Sequence, residues 1–146
     1  MAKTEKELME MQTLFDWALL WENAHPELWH MYHVTNEGKR NPRTGAALKR
    51  GGLKKGVPDV WLPVPCGKWG GLVIEMKVDR NRVTEAQQEW LEKQAKRGWK
   101  AYACWGFEAA AKVVAEYLGF DPGQFMKEPQ KILEWLPDGS VAERKG

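Results

Sequence analysis

The sequence predicts an α/β fold in which a mixed central sheet is flanked by helices. Between residues 57 and 119, short apolar strands alternate with amphipathic helices in the order β-β-α-β-α, an order typical of helices packed on a sheet. A length of 146 residues suits one domain with one core. We expect that domain to span residues 1–120, and residues 121–146 to form an extension that docks on it and ends in a frayed tail.

The chain opens with a predicted helix over residues 4–22. Thr4 is its expected N-cap, and Glu7 stands at the position that completes a capping box. Residues at helical spacing form its expected buried stripe: Leu8, Met11, Phe15, Ala18 and Leu19. The helix should end before Pro26, since the residue preceding a proline avoids helical backbone angles, and residues 28–34 should form an ordered, strand-like connection.

The later elements follow from apolar runs and from their punctuation by glycine and proline. Thr84 and Gln87 match a second capping box, and Gly98 and Gly119 are expected to end the two later helices. A helical turn is expected around residues 130–136. The elements predicted in the middle of the chain are a short helix over 46–50, strands over 57–64 and 71–78, a helix over 83–98, a strand over 99–106 and a helix over 107–119.

Basic residues concentrate in one turn-rich segment. Between Val34 and Pro58 there are seven lysines and arginines but a single acid, Glu37, so this segment carries +6 while the whole chain carries +2. Such segregation suggests a polyanionic partner such as nucleic acid, although a solvated basic loop would look the same. The expected DNA contacts include these basic residues: Lys39, Arg40, Arg43, Lys49, Arg50, Lys54 and Lys55.

Two carboxylates and a lysine mark a candidate catalytic site. Asp59 follows a Gly-x-Pro turn, and sixteen residues later the second strand carries Glu75 and Lys77. Residues i and i+2 of a strand share a face, so these last two side chains project together. Charged groups in an apolar strand are costly to bury unless they are paired or bind a metal, and the residues alone leave both interpretations open.

The metal interpretation has a definite chemistry. Asp59 and Glu75 offer hard oxygen ligands for Mg²⁺ or Mn²⁺, and the backbone carbonyl of Met76 offers a further one. Lys77, its pKa lowered by neighbouring positive charge, would orient or deprotonate the attacking water. The metal would activate that water and neutralise charge on the phosphate. The competing interpretation is a cross-strand ion pair with no metal.

Six stretches over roughly the first 120 residues carry a more specific resemblance. They are Glu10 before LFDWA, TNEGKR (35–40), TGAALKRGGLKKGVPDVWLPVP (44–65), GGLVIEMKV (70–78), VTEAQQEWL (83–91) and GWKAYACWG (98–106). In order and spacing they resemble the VRR-NUC family, the virus-type replication and repair nuclease domain of the PD-(D/E)xK nuclease superfamily. The resemblance implies a restriction-endonuclease-like core, and the stand-alone form resembles proteins encoded by phages and prophages.

The resemblance also implies roles for individual residues. Asp59 and Glu75 match the family's metal ligands, and Lys77 matches its catalytic lysine. Glu10 would complete the acidic set from the first helix, with Glu7 as a competitor for that role.

Two further family positions are matched with alternatives. Gln87 matches the family's active-site glutamine, but it also fits the capping box with Thr84, and one side chain is not expected to serve both. Glu37 stands where the family's Asn-Gly-Gly-x-Arg segment usually has glycine. Asn36 and Arg40 therefore stay as candidate substrate contacts.

We therefore expect a Mg²⁺- or Mn²⁺-dependent endonuclease for structured DNA, resembling a Holliday-junction resolvase and forming a homodimer. A flap- or end-directed nuclease and a non-catalytic accessory protein that binds structured DNA are the alternatives. No small-molecule cofactor is expected. The apolar runs are too short for a membrane span, no signal peptide is recognisable, and Cys66 and Cys104 suit free thiols. The expected location is the cytoplasm of a bacterial host.

Overall fold

A six-stranded mixed sheet organises the chain, in the strand order β1-β2-β3-β4-β5-β6. The computed structural model describes residues 3–35, 42–123, 127–129 and 131–145. Only the central pair, β3 and β4, is parallel, and every other neighbouring pair is antiparallel. The elements are α1 (Glu5–Trp21), a 3₁₀ helix (Pro26–His30), β1 (Tyr32–His33), α2 (Pro42–Arg50), β2 (Val60–Leu62), β3 (Leu72–Lys77), α3 (Glu85–Lys96), β4 (Lys100–Trp105), α4 (Phe107–Leu118), β5 (Lys131–Trp135) and β6 (Val141–Lys145).

The predicted α/β fold and its β-β-α-β-α middle are confirmed. The boundaries differ where local signals are weak: α2 begins at Pro42 rather than at residue 46, and β2 has three residues rather than eight. Cys66 and Cys104 are free thiols, as expected. In the described part of the chain, no helix is both long enough and apolar enough to cross a membrane.

Helices cover both faces of the sheet, and β3 lies at its centre with all six residues buried. Leu72, Ile74 and Met76 belong to the larger core, which they share with α1 and α4. Val73 belongs to the smaller core, together with Leu91 of α3. Because side chains alternate along a strand, Glu75 and Lys77 project to the same face as Val73, as the sequence predicts.

The buried face of α1 is only partly the one predicted, since Met11 and Ala18 are buried and Phe15 packs against the core as expected. Leu8 and Leu19 are 45% and 69% exposed. The face turned towards the core consists of Glu7, Met11, Leu14, Trp17 and Ala18. The helix carries two overlapping apolar series, and the true one includes a glutamate at its first turn. Hydrophobic periodicity favours the series that contains no charged residue. In the structure Glu7 can be buried because its carboxylate accepts hydrogen bonds from Thr4 and lies near Lys3.

The C-terminal segment is a β-hairpin, so the predicted helical turn at residues 130–136 and the frayed tail are both wrong. β5 pairs with β4, and β6 pairs with β5. Asp138 and Gly139 make the turn: Gly139 has φ +90°, and the Ser140 amide donates to Asp138 Oδ1 at 2.8 Å. An Asp-Gly pair between two alternating segments is a strong hairpin signal, and pairing with β4 outweighs helix propensity. The division at residue 120 stays a prediction.

The loop before Asp59 is docked on the amino end of α3 through Gly56. Its φ is +73°, and a Cβ built there would lie 2.6 Å from the backbone carbon of Ala86. Trp90 Nε1 adds a hydrogen bond to the carbonyl of Lys55 at 2.9 Å. Gly56 therefore joins the basic segment to the body of the domain at one fixed point.

We expect Gly56→Ala to destabilise the protein far more than Gly52→Ala. Both glycines have positive φ, but a Cβ at Gly52 meets nothing within 4 Å. Backbone strain, about 1–3 kcal/mol, is common to both variants, and the clash with α3 should add about 1–3 kcal/mol at Gly56 alone. Urea denaturation measures the difference. Equal losses would show that Gly56 does not hold the loop against α3.

Candidate active site

Asp59 immediately precedes β2 and is buried. It is hydrogen-bonded to the central strand, β3. Its Oδ2 accepts a hydrogen bond from the backbone amide of Met76 at 2.8 Å. The short β2 ladder ends with Val60 opposite Ile74, so the Met76 amide lies past its end. The other carboxylate oxygen, Oδ1, is buried without a hydrogen-bond partner.

Glu75 and Lys77 lie near Asp59, at the C-terminal end of β3. Glu75 is 1% exposed; burial and the charge of Asp59 raise its pKa to about 8, against the opposing effect of the two nearby lysines. Lys77 Nζ lies 3.7 Å from Glu75 Oε2. Burial is the main cause that lowers the pKa of Lys77, and the positive charge of a second ammonium contributes. A lysine in this state can give or take a proton more easily than a solvated one.

That second ammonium belongs to Lys3, a residue that the sequence analysis missed. Its Nζ lies 2.5 Å from Glu75 Oε2, 2.8 Å from Asp59 Oδ2 and 2.9 Å from the carbonyl oxygen of Met76. Burial alone would lower the pKa of Lys3, but its attraction to the two carboxylates outweighs burial and raises it. No local signal marks this lysine, since it precedes the first helix and lies far from its partners in sequence.

Glu7 also reaches the cluster. Its Oε1 accepts from the amide and hydroxyl of Thr4, both at 3.1 Å, which is the predicted capping box. Its Oε2 lies 3.6 Å from Lys3 Nζ, and its charge acts on Lys77. From the sequence, Glu7 was expected to complete the capping box and to compete with Glu10 for a role in the site.

Glu10 lies at the amino end of α4. It accepts a hydrogen bond from the Phe107 amide, and burial followed by repulsion from Glu108 raises its pKa. The helix has Gly106 at its N-cap without a side-chain cap, so Glu10 satisfies a backbone donor that the cap residue cannot. The Gly106 amide in turn donates to the Lys77 carbonyl at 3.0 Å, which places Glu10 near the same end of β3. Its role as a metal ligand stays a prediction.

Gln87 makes the capping contacts that the sequence offered as the alternative to an active-site role. Its Oε1 accepts from the Thr84 amide at 2.9 Å, and its own amide donates to Thr84 Oγ1 at 3.3 Å. An active-site contact would use the same side chain, so that assignment also stays a prediction.

The oxygens around Lys3 are suited to a divalent cation. They comprise one oxygen each from Asp59 and Glu75 and the Met76 carbonyl, and they already bind a cationic group. Asp59 Oδ1 and Glu75 Oε1 are buried without partners. The described residues contain no cluster of three or more His, Cys, Asp or Glu side chains with metal-binding geometry. Two carboxylates and a carbonyl suit Mg²⁺, which usually keeps several of its waters.

The basic segment is exposed beside this site. The described members are all exposed: Arg43, Lys49, Arg50, Lys54 and Lys55. Asn36, Lys39 and Arg40, the other expected DNA contacts, lie outside the described residues. Gly56 fixes the end of the segment on α3, and Asp59 follows it closely in the chain.

Comparisons with known proteins agree with this fold. A family model described as the VRR-NUC domain matches residues 4–108. A solved structure described as a VRR_NUC domain protein is 28% identical with a TM-score of 0.66, and the alignment covers 82% of this chain and 96% of that one. Searching the curated proteins returns no match. The matched range contains Asp59, Glu75 and Lys77, begins one residue after Lys3 and ends before β5.

We expect Asp59→Ala to lose about 1–3 kcal/mol more stability than Asp59→Asn, because only asparagine keeps an acceptor for the buried Met76 amide. Urea denaturation in a chelating buffer measures both variants. Asp16, which is exposed on α1, provides the control pair, and there helix propensity should make alanine the more stable variant by less than about 1 kcal/mol. If both Asp59 variants are equally stable, the hydrogen bond to Met76 has no stabilising role.

Proposed function

The chain belongs to the VRR-NUC family, and we propose that it is a Mg²⁺- or Mn²⁺-dependent nuclease. Its reaction would be the hydrolysis of phosphodiester bonds in branched DNA, in the manner of a Holliday-junction resolvase. The observation that carries the proposal is the set of buried oxygens on Asp59, Glu75 and Met76, which converge on one cationic group. A structural ion pair needs no such convergence of two carboxylates and a carbonyl.

Each residue of the site has a task in this reaction. When bound, the divalent cation would activate a water and offset charge on the phosphate. Asp59 is held in one orientation by the Met76 amide, and Glu75 by the central strand, so both ligands are positioned before substrate arrives. Lys77, 3.7 Å from Glu75, orients the attacking water and accepts its proton. In this scheme Glu10 is the additional acid.

The basic segment supports DNA as the substrate. Its exposed lysines and arginines suit the phosphate backbone, which attracts basic side chains irrespective of base sequence. Glycines in the same segment allow the backbone to approach a phosphate closely. The segment therefore holds the duplex, while the buried cluster cuts it.

A homodimer is part of the proposal. A two-fold dimer would present two sites to the symmetric strands of a junction. Leu20 and Trp29 are 82% and 71% exposed, and they give the domain apolar surface for self-association. From the sequence resemblance, we also propose that the protein is encoded by a phage or prophage and acts in the cytoplasm of a bacterial host.

Lys77→Met should slow cleavage of a labelled four-way junction by about a hundredfold or more, because the proton acceptor is lost. Lys93→Met, which removes an exposed lysine of α3, is the matched control and should cleave at the normal rate. EDTA should abolish cleavage in every variant. Activity that survives both the chelator and the Lys77 substitution would overturn the mechanism.

The same assay on flap, splayed-arm and linear duplex substrates tests the choice of DNA structure. We expect the four-way junction to be cut fastest. Faster cleavage of flaps or ends would favour the alternative nuclease, and binding without cleavage under either metal would favour an accessory protein.

Replacing Lys49 and Arg50 with glutamine should weaken DNA binding and reduce the slope of log affinity against log salt by about 1–2, since two phosphate contacts are lost. The control replaces Lys93 and Lys96 of α3 with glutamine, which removes the same two positive charges from outside the basic segment. Fluorescence anisotropy across a salt series measures the slope. Identical slopes in the two double variants would mean that the basic segment does not contact DNA.

A further inference from the structure

Lys3 occupies the position that the proposed metal ion needs. Its ammonium touches the same three oxygens, on Glu75, Asp59 and Met76, at 2.5–2.9 Å. The lysine side chain is 9% exposed and the two carboxylates are each 1% exposed, so this is a buried cluster rather than a surface ion pair. A second cation could not share these oxygens, because two positive charges at that separation repel strongly in a poorly solvated site.

We propose that Lys3 is an exchangeable internal occupant of the metal site, so that a divalent cation binds only by displacing its ammonium. The inference rests on the proposed metal site. In the metal-free protein Lys3 pairs with both carboxylates and offsets part of their negative charge, which would otherwise be costly to bury. The observed metal affinity is then the intrinsic affinity reduced by the fraction of molecules in which Lys3 has left.

The position of Lys3 in the chain makes this exchange feasible. Lys3 precedes Thr4, the N-cap of α1, and so lies outside the helix. Its ammonium can leave by rotation of a flexible four-carbon side chain, without breaking a helical hydrogen bond. Lys77 has no such freedom, because it belongs to a buried strand paired with β4.

Glu7 offers the displaced ammonium a new partner. Glu7 Oε2 already lies 3.6 Å from Lys3 Nζ, one helical turn along α1. Its other oxygen is bound by Thr4 in the capping box, which keeps the carboxylate in place during the exchange. The released lysine would therefore remain close to the site and return when the metal dissociates.

Amine labelling of the unmodified protein tests the exchange directly. We expect saturating Mn²⁺ to increase the acetylation rate of Lys3 at least about tenfold, since displacement removes the contacts to Asp59, Glu75 and the Met76 carbonyl that hold its amine charged and unreactive. Lys6, whose side chain is 61% exposed, is the internal control and should react equally with and without metal. Fragment-ion mass spectrometry separates the two lysines. An unchanged Lys3 rate with saturating Mn²⁺ bound would overturn the proposal.

A variant pair distinguishes failure of this inference from failure of the metal site itself. By calorimetry without DNA, Lys3→Met should bind Mn²⁺ at least about tenfold more tightly than the parent protein, and Lys6→Met should bind as the parent does. Equal affinity in the parent and Lys3→Met would overturn the exchange but keep the metal site. No Mn²⁺ binding in any of the three proteins would overturn both.

Discussion

The burial of two neighbouring carboxyl groups, Asp59 and Glu75, is the constraint on which the rest of the site depends. Each residue is 1% exposed. Removing one carboxylate from water without giving it a partner costs several kcal/mol of stability. The fold meets this cost from two directions. The Met76 amide binds Asp59 within the sheet, and Lys3 reaches both carboxylates from the start of α1.

The architecture of the sheet explains why the cluster forms where it does. Pro58 and Pro63 bound β2, and proline cannot supply a ladder hydrogen bond, so β2 is only three residues long. β3 continues beyond it, and the Met76 amide is left for the Asp59 side chain. The parallel strand β4 covers the other edge of β3 along its whole length. A buried polar cluster therefore forms against a strand whose six residues are all buried.

Local signals allowed much of the fold to be predicted. Thr84 and Gln87 form the predicted capping box, and the left-handed Gly119 ends α4, because caps depend on neighbours in the chain. The buried face of α1 was predicted only in part, since two series of apolar residues overlap at helical spacing and only packing decides which of them is buried. The β5–β6 hairpin was also missed: its Asp-Gly turn is readable, but a segment of alternating residues becomes a strand only when another strand, here β4, accepts it.

The sequence by itself determined that Glu75 and Lys77 share one face of a central strand, because strand geometry makes their spacing sufficient. It also determined that Asp59 is the neighbouring acid, through the resemblance of the surrounding stretches. Only the tertiary structure decided that Lys3 and Glu7 join the cluster while Glu10 binds the first amide of α4. Those contacts connect residues far apart in the chain, and they depend on how α1 packs against the sheet and α4. No local pattern encodes that packing.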